Sequence, residues 1–106
     1  MSRRPGEVWL ADLGLAAKTR PVVIVSRQDA EAPRALVLYV PLTTQPRGSR
    51  YEVTLPRLGF LPEISTANVQ GLACIAHARL DHRMGVVPAE TILAIRNALR
   101  FALELD

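Results

Sequence analysis

Lys18-Thr19-Arg20-Pro21-Val22-Val23-Ile24-Val25-Ser26 sets a charged group directly against the start of an apolar run. Pro21 fixes its own φ and holds Arg20 in an extended conformation. Val22 to Val25 are β-branched and uninterrupted, the pattern of a strand buried on both faces. Arg20 therefore stands at the rigid lip of a core strand. Two readings of it are open: a solvated arginine at a strand entrance, or a group that binds an anion such as phosphate.

Working outward, residues 6–13 are apolar, carry the only tryptophan, Trp9, and read as a first strand. Residues 14–19 join it to the Arg20 strand as a hairpin. Residues 26–33 are polar and read as a loop. Residues 34–40 (Arg-Ala-Leu-Val-Leu-Tyr-Val) predict a third strand, followed by the turn-rich loop 41–50 (Pro-Leu-Thr-Thr-Gln-Pro-Arg-Gly-Ser-Arg). Tyr51, Val53 and Leu55 alternate with Glu52 and Thr54, as in a half-exposed strand. Residues 65–75 alternate at first and then turn apolar, with Gly71 at a bulge or bend. Residues 77–83 read as a polar turn and 84–87 as a last short strand. Pro88 opens a helix, with Ile92, Ile95, Leu99 and Ala102 on its inner stripe and Leu93 and Leu103 widening it. Arg96 and Arg100 form a solvated face.

The chain of 106 residues has the length of a single domain, 1–106. Short strands, frequent turns and one C-terminal α-helix predict a mainly β fold, a small closed barrel or a strongly bent sheet. The second and third strands are more apolar than one face of such a barrel requires, which predicts a dimer interface. No apolar run reaches the roughly 18 residues of a membrane span. The N-terminus has no apolar segment behind its arginines, so no export signal is expected. The single cysteine, Cys74, precludes an internal disulfide, fits a reducing cytoplasm and reads as a small buried hydrophobe. The net charge is +3, and twelve of the thirteen basic residues are arginine, whose planar fork suits phosphate.

No phosphate-cradling glycine loop and no nucleophile elbow is present. His77, Asp81 and His82 do not make a full ligand set, so no metal and no cofactor is expected. One constellation remains. Thr43, Thr44 and Gln45 follow the third strand, and Arg20 opens the second. Antiparallel pairing would bring them to one end of the sheet, with Lys18, Arg47 and Arg50 around them. Such a groove suits the backbone of a single-stranded nucleic acid, with Tyr51 or Trp9 as a stacking face. A threonine-rich turn with incidental charges is the other reading.

Three blocks, Gly6-Glu7-Val8-Trp9, Arg20-Pro21-Val22-Val23-Ile24-Val25-Ser26 and Val40-Pro41-Leu42-Thr43-Thr44-Gln45, resemble the MazF/PemK toxin family. Asn68-Val69-Gln70-Gly71-Leu72, Arg79-Leu80 and Met84-Gly85 extend the resemblance over nearly the whole chain. It implies a homodimeric SH3-like barrel and the toxin of a type II toxin–antitoxin pair. It further implies a metal-independent endoribonuclease that cuts single-stranded RNA, with a cognate antitoxin as partner. The family's catalytic arginine falls on Arg20 and its threonine on Thr43, with Thr44 one register away. Lys18, Thr44, Gln45, Arg47 and Arg50 become RNA-binding candidates. Loop 14–19 is shorter than in many members. An Arg/Asp pair that some members use falls on Ala73 and Ala76, so this chain lacks it. Two other readings stand beside this one: a gyrase-poisoning toxin of the CcdB type, and an RNA-binding barrel without catalysis.

Overall fold

The computed structural model describes residues 3–14 and 19–105. Seven strands and one helix follow one another: β1 Glu7–Asp12, β2 Thr19–Ile24, β3 Leu36–Thr43, β4 Glu52–Thr54, β5 Thr66–Asn68, β6 Ala73–Ala76, β7 Leu80–Val86 and α1 Ala89–Leu103. β1 and β2 form the expected antiparallel hairpin, with Trp9 opposite Val22 and Ala11 opposite Arg20. β2 pairs antiparallel with β3. β3 then serves two partners on its other side, β6 along its first half and β5 at its end. β4 extends β5, and β7 lies beside β1.

The strands β6-β3-β2-β1-β7 close on themselves for a simple reason. A flat sheet of five would hold its edges about 19 Å apart, at about 4.8 Å per strand. Here the two edges are joined by the single 3-10 turn His77–Arg79, which rises only about 2 Å per residue. The sheet must curl. All five strands send side chains into the resulting interior: Trp9 and Ala11, Val22 and Ile24, Val37 and Tyr39, Ala73 and Ile75, and Leu80. The alternate residues Val8, Val23, Val40 and Leu42 face outward beneath α1, β5 and the loop carrying Leu55 and Leu61. This explains the continuous apolar run of β2. Val22 and Ile24 line the barrel while Val23 packs beneath the cover, and all three are wholly buried.

The structure corrects four readings. β3 does not stop at Val40 but continues through Pro41 to Thr43. Leu38 directs both its N–H and its carbonyl toward the β2 side, onto Ser26 and Val25. By alternation the missing N–H of Pro41 falls on the other side, in the gap between the ladders of β6 and β5. The proline thus removes no ladder bond. β7 begins at Leu80 rather than Met84, because β1 pairs with it along its polar half, Leu10 with His82 and Trp9 with Arg83. Cys74 is exposed, facing outward from β6. Leu93 and Leu103 are exposed and do not widen the inner stripe of α1, which keeps Ile95 buried and Ile92, Leu99 and Ala102 partly buried against the core and gains Thr91 and Ala98. Gly71 ends a 3-10 turn, Val69–Gly71, against the ring of Pro41.

Candidate active site

The site lies at the mouth of the barrel, where the interior face of each strand turns from apolar to polar. On β2 that face runs Ile24, Val22, Arg20. On β3 it runs Val37, Tyr39, Pro41, Thr43. The last β2–β3 pair is Val22 with Pro41. Continuing the register by two residues sets Arg20 opposite Thr43, side chains on one face. On the other flank of Arg20 stands Ala11, whose methyl leaves the guanidinium room.

Arg20 is exposed. Among the described residues no ion pair or side-chain hydrogen bond engages it. Its five N–H donors are open to a ligand. Thr43 is half-buried, and its Oγ1 accepts the N–H of Gln45 at 3.0 Å. That bond turns the chain into the following loop and leaves the hydroxyl hydrogen free to donate. The row continues across the sheet. Thr43 pairs with Thr66, and Thr66 with Thr54, whose hydroxyls lie 3.3 Å apart. Arginine and hydroxyl donors together present an edge suited to a phosphate oxygen.

The remaining candidates divide. Thr44, Gln45 and Arg47 are exposed on the loop leaving Thr43. Arg50 turns away onto α1, its guanidinium 3.9 Å from the centre of the Phe101 ring. Tyr51 packs against the same ring at 5.2 Å. Trp9 is buried in the barrel. Lys18 and residues 15–17 of the connecting loop lie outside the described residues. His77 starts the turn after β6, its N–H on the carbonyl of Ala35. That is the opposite end of β3 from Thr43, and among the described residues no hydrogen bond or ion pair joins His77 to Arg20. Ala73 and Ala76 pair with Tyr39 and Leu36. Among the described residues no three His, Cys, Asp or Glu side chains gather as a metal site.

One organising residue escaped the sequence reading. The Glu52 carboxylate accepts the N–H of Ser49 at 2.9 Å and that of Arg47 at 3.0 and 3.2 Å, pinning the loop beyond Thr43. The N–H groups of Ser49 and then Arg47 hold its carboxyl below the ordinary value. Ser49-Arg50-Tyr51-Glu52 has the S-x-x-E spacing by which a glutamate reaches back to a serine N–H, and that spacing was the available signal.

A sequence family described as the PemK-like, MazF-like toxin of type II toxin–antitoxin systems matches residues 4–103. The chain belongs to this family. A probable endoribonuclease MazF5 of Mycobacterium tuberculosis is 36% identical over 101 residues, covering 93% of this chain and 91% of that protein. A mycobacterial endoribonuclease solved with its cognate antitoxin superposes with a TM-score of 0.85 at 28% identity, over 98% of this chain and 97% of the other. The M. tuberculosis toxin MazF-mt6 gives 0.82 at 28% identity, over 97% and 99%. The barrel with its C-terminal helix is thus the fold of MazF toxins. Among the described residues, no helix is long and apolar enough to cross a membrane.

Proposed function

We propose that this MazF-family toxin is an endoribonuclease that cuts single-stranded RNA at short sequences, without metal or cofactor, and so arrests translation. The observation that supports the reading is the β2–β3 ladder, whose last pair is Val22 with Pro41 and whose register, carried two residues further, brings Arg20 and Thr43 to the same end of the barrel. In the reaction the 2′-oxygen attacks the adjacent phosphorus. The new P–O2′ bond forms as the P–O5′ bond breaks, leaving a 2′,3′-cyclic phosphate and a 5′-OH. The 2′ proton passes to a base, and the departing 5′-oxygen receives one from an acid. Charge accumulates on the non-bridging oxygens, where stabilisation counts most. Arg20 meets that charge with its fork, and Thr43 donates its free hydroxyl hydrogen to one such oxygen. A guanidinium, with a pKa above about 12, serves poorly as a base, so Arg20 acts as stabiliser and proton donor.

Thr44, Gln45 and Arg47 extend the RNA track along the loop, with Lys18 and Arg50 as further contacts. The partners are RNA in the cytoplasm, a second copy of the chain in a homodimer, and a cognate antitoxin like the one bound to the mycobacterial relative. The test is incubation with a long single-stranded RNA in EDTA, followed by end-group analysis. Discrete cuts with cyclic phosphate ends are expected, and Arg20→Ala should slow them by about 10²- to 10³-fold with unchanged thermal unfolding. Intact RNA, or an Arg20→Ala variant that cuts normally, would overturn the proposal. Loss of gyrase supercoiling in its presence would then favour the CcdB-type reading.

A further inference from the structure

At the other end of the β2–β3 hairpin from Arg20 and Thr43, the connecting residues 26–35 line an open cleft of about 880 Å³. Arg3, Ser26, Arg27, Asp29, Arg34 and His77 stand in its wall. The balance of charge is strongly positive, and the donors are uncommitted. Among the described residues, Arg3, Arg27 and Arg34 make no ion pair. The single carboxylate, Asp29, already accepts the N–H of Glu31 at 2.9 Å. The hydroxyl oxygen of Ser26 accepts the N–H of Leu38 at 3.1 Å, which leaves its hydrogen to donate.

Arg3 carries the decisive feature. Its guanidinium lies 4.4 Å above the centre of the Trp9 ring. Its Nε and Nη1 are shut off from solvent and have no hydrogen-bond partner among the described residues. Glu7, the carboxylate that holds the Trp9 indole, makes no ion pair with Arg3. It is taken up by Trp9 Nε1 at 2.9 Å, by the N–H of Arg4 and by Arg83 at 3.7 Å. A partly desolvated cation without a counter-ion is costly unless an anion completes it. Arginine forks recognise phosphate oxygens in particular.

We infer that this cleft is a second phosphate-binding site, formed by Arg3, Arg27 and Arg34 and separate from the Arg20–Thr43 centre. Two sources supply the same chemistry, a phosphodiester of an RNA strand or a small free phosphate compound. The inference concerns binding alone and stands whether or not the chain cleaves RNA. Trp9, the only tryptophan, lies beneath Arg3 and reports occupancy through its fluorescence, with calorimetry as an independent reading.

The full chain is titrated with inorganic pyrophosphate and with single-stranded oligodeoxynucleotides, which lack the 2′-OH and stay intact. Saturable binding is expected in the wild type and in Arg20→Ala. Affinity should fall about tenfold, or 1.4 kcal/mol, in Arg3→Gln and in Arg34→Gln. The exposed Arg34 keeps the test valid if Arg3→Gln alters the fold seen in thermal unfolding. Affinity rising with oligonucleotide length identifies a strand as the occupant, and a preference for pyrophosphate identifies the small compound. Absence of saturable binding, binding untouched by Arg34→Gln, or binding abolished by Arg20→Ala would each overturn the inference.

Discussion

In the proposed site Thr43 divides its hydroxyl. The oxygen is committed to the Gln45 N–H, so a phosphate oxygen bound there would meet a hydrogen whose direction is largely set before substrate arrives. Preorganisation of this kind lowers the barrier because little reorganisation remains for the reaction itself. Thr43→Val keeps the β-branched shape of the strand end and removes only the hydroxyl. Its kcat should fall about 10²- to 10³-fold, with a smaller change in KM, while Thr43→Ser recovers most of the loss. Single-turnover cleavage of a defined oligoribonucleotide separates the two constants. Equal losses in Thr43→Val and Thr43→Ser would show that the methyl packing matters and the hydroxyl does not. Arg20 and Thr43 were both readable in the sequence because each sits beside a conformational marker. Pro21 holds Arg20 extended within β2, and the Thr-Thr-Gln run marks where β3 gives way to loop. Glu52 and Arg3 carry no such marker. Their roles depend on N–H groups and a ring brought to them by tertiary structure.

The loop that leaves β3 depends on the charge of Glu52, and its pH response follows. The carboxyl is lowered in the folded chain by the N–H groups of Ser49 and Arg47, so its contribution to stability is present above the unfolded carboxyl value. That contribution is lost as pH falls through the lowered folded value. Glu52→Gln should melt below the wild type at neutral pH, and the gap should close on acidification. Thermal unfolding across that range checks it, and a gap that stays constant would exclude the charge as the cause. β7 offers a packing test. A Cβ on Gly85 would lie 2.3 Å from the Phe60 ring, so Gly85→Ala should destabilise by about 1–3 kcal/mol, measured by denaturant unfolding. The same strand shows why element boundaries were only partly legible. β2 declares itself because its apolar residues Val22, Val23 and Ile24 are all buried. The first half of β7 presents Asp81, His82 and Arg83 to solvent, and only pairing with β1 reveals it as a strand. β3 hid its length behind Pro41, a residue that signals a break unless its N–H side faces a gap in the sheet.

The outer face of the barrel is covered over one part only. α1, β5 and the 55–61 loop enclose Val40 and Leu42, but Leu36 and Leu38, on the same face of β3, remain 43% and 45% exposed. Their β6 partners are Ala76 and Cys74, so the uncovered area is a continuous apolar strip two strands wide. The sequence signalled this as an excess of apolar residues in the third strand. β2 carries no share of it, since its apolar residues Val22, Val23 and Ile24 are all buried within the chain. The exposure of Cys74 belongs to the same strip, which is why its apolar neighbours Ala73 and Ile75 suggested a buried thiol. A second copy of the chain is the occupant expected for this strip, consistent with the proposed homodimer. Burying two leucines and their neighbours removes enough apolar surface for one aspartate among them to oppose association strongly, since a desolvated carboxylate finds no partner there. Leu38→Asp should therefore sediment as a monomer where the wild type sediments as a dimer. In the wild type Cys74 should react slowly with a bulky thiol reagent at high protein concentration and faster on dilution, whereas in Leu38→Asp it should react quickly throughout. A wild-type monomer, or a Leu38→Asp dimer with Cys74 still protected, would place the subunit contact elsewhere on the molecule.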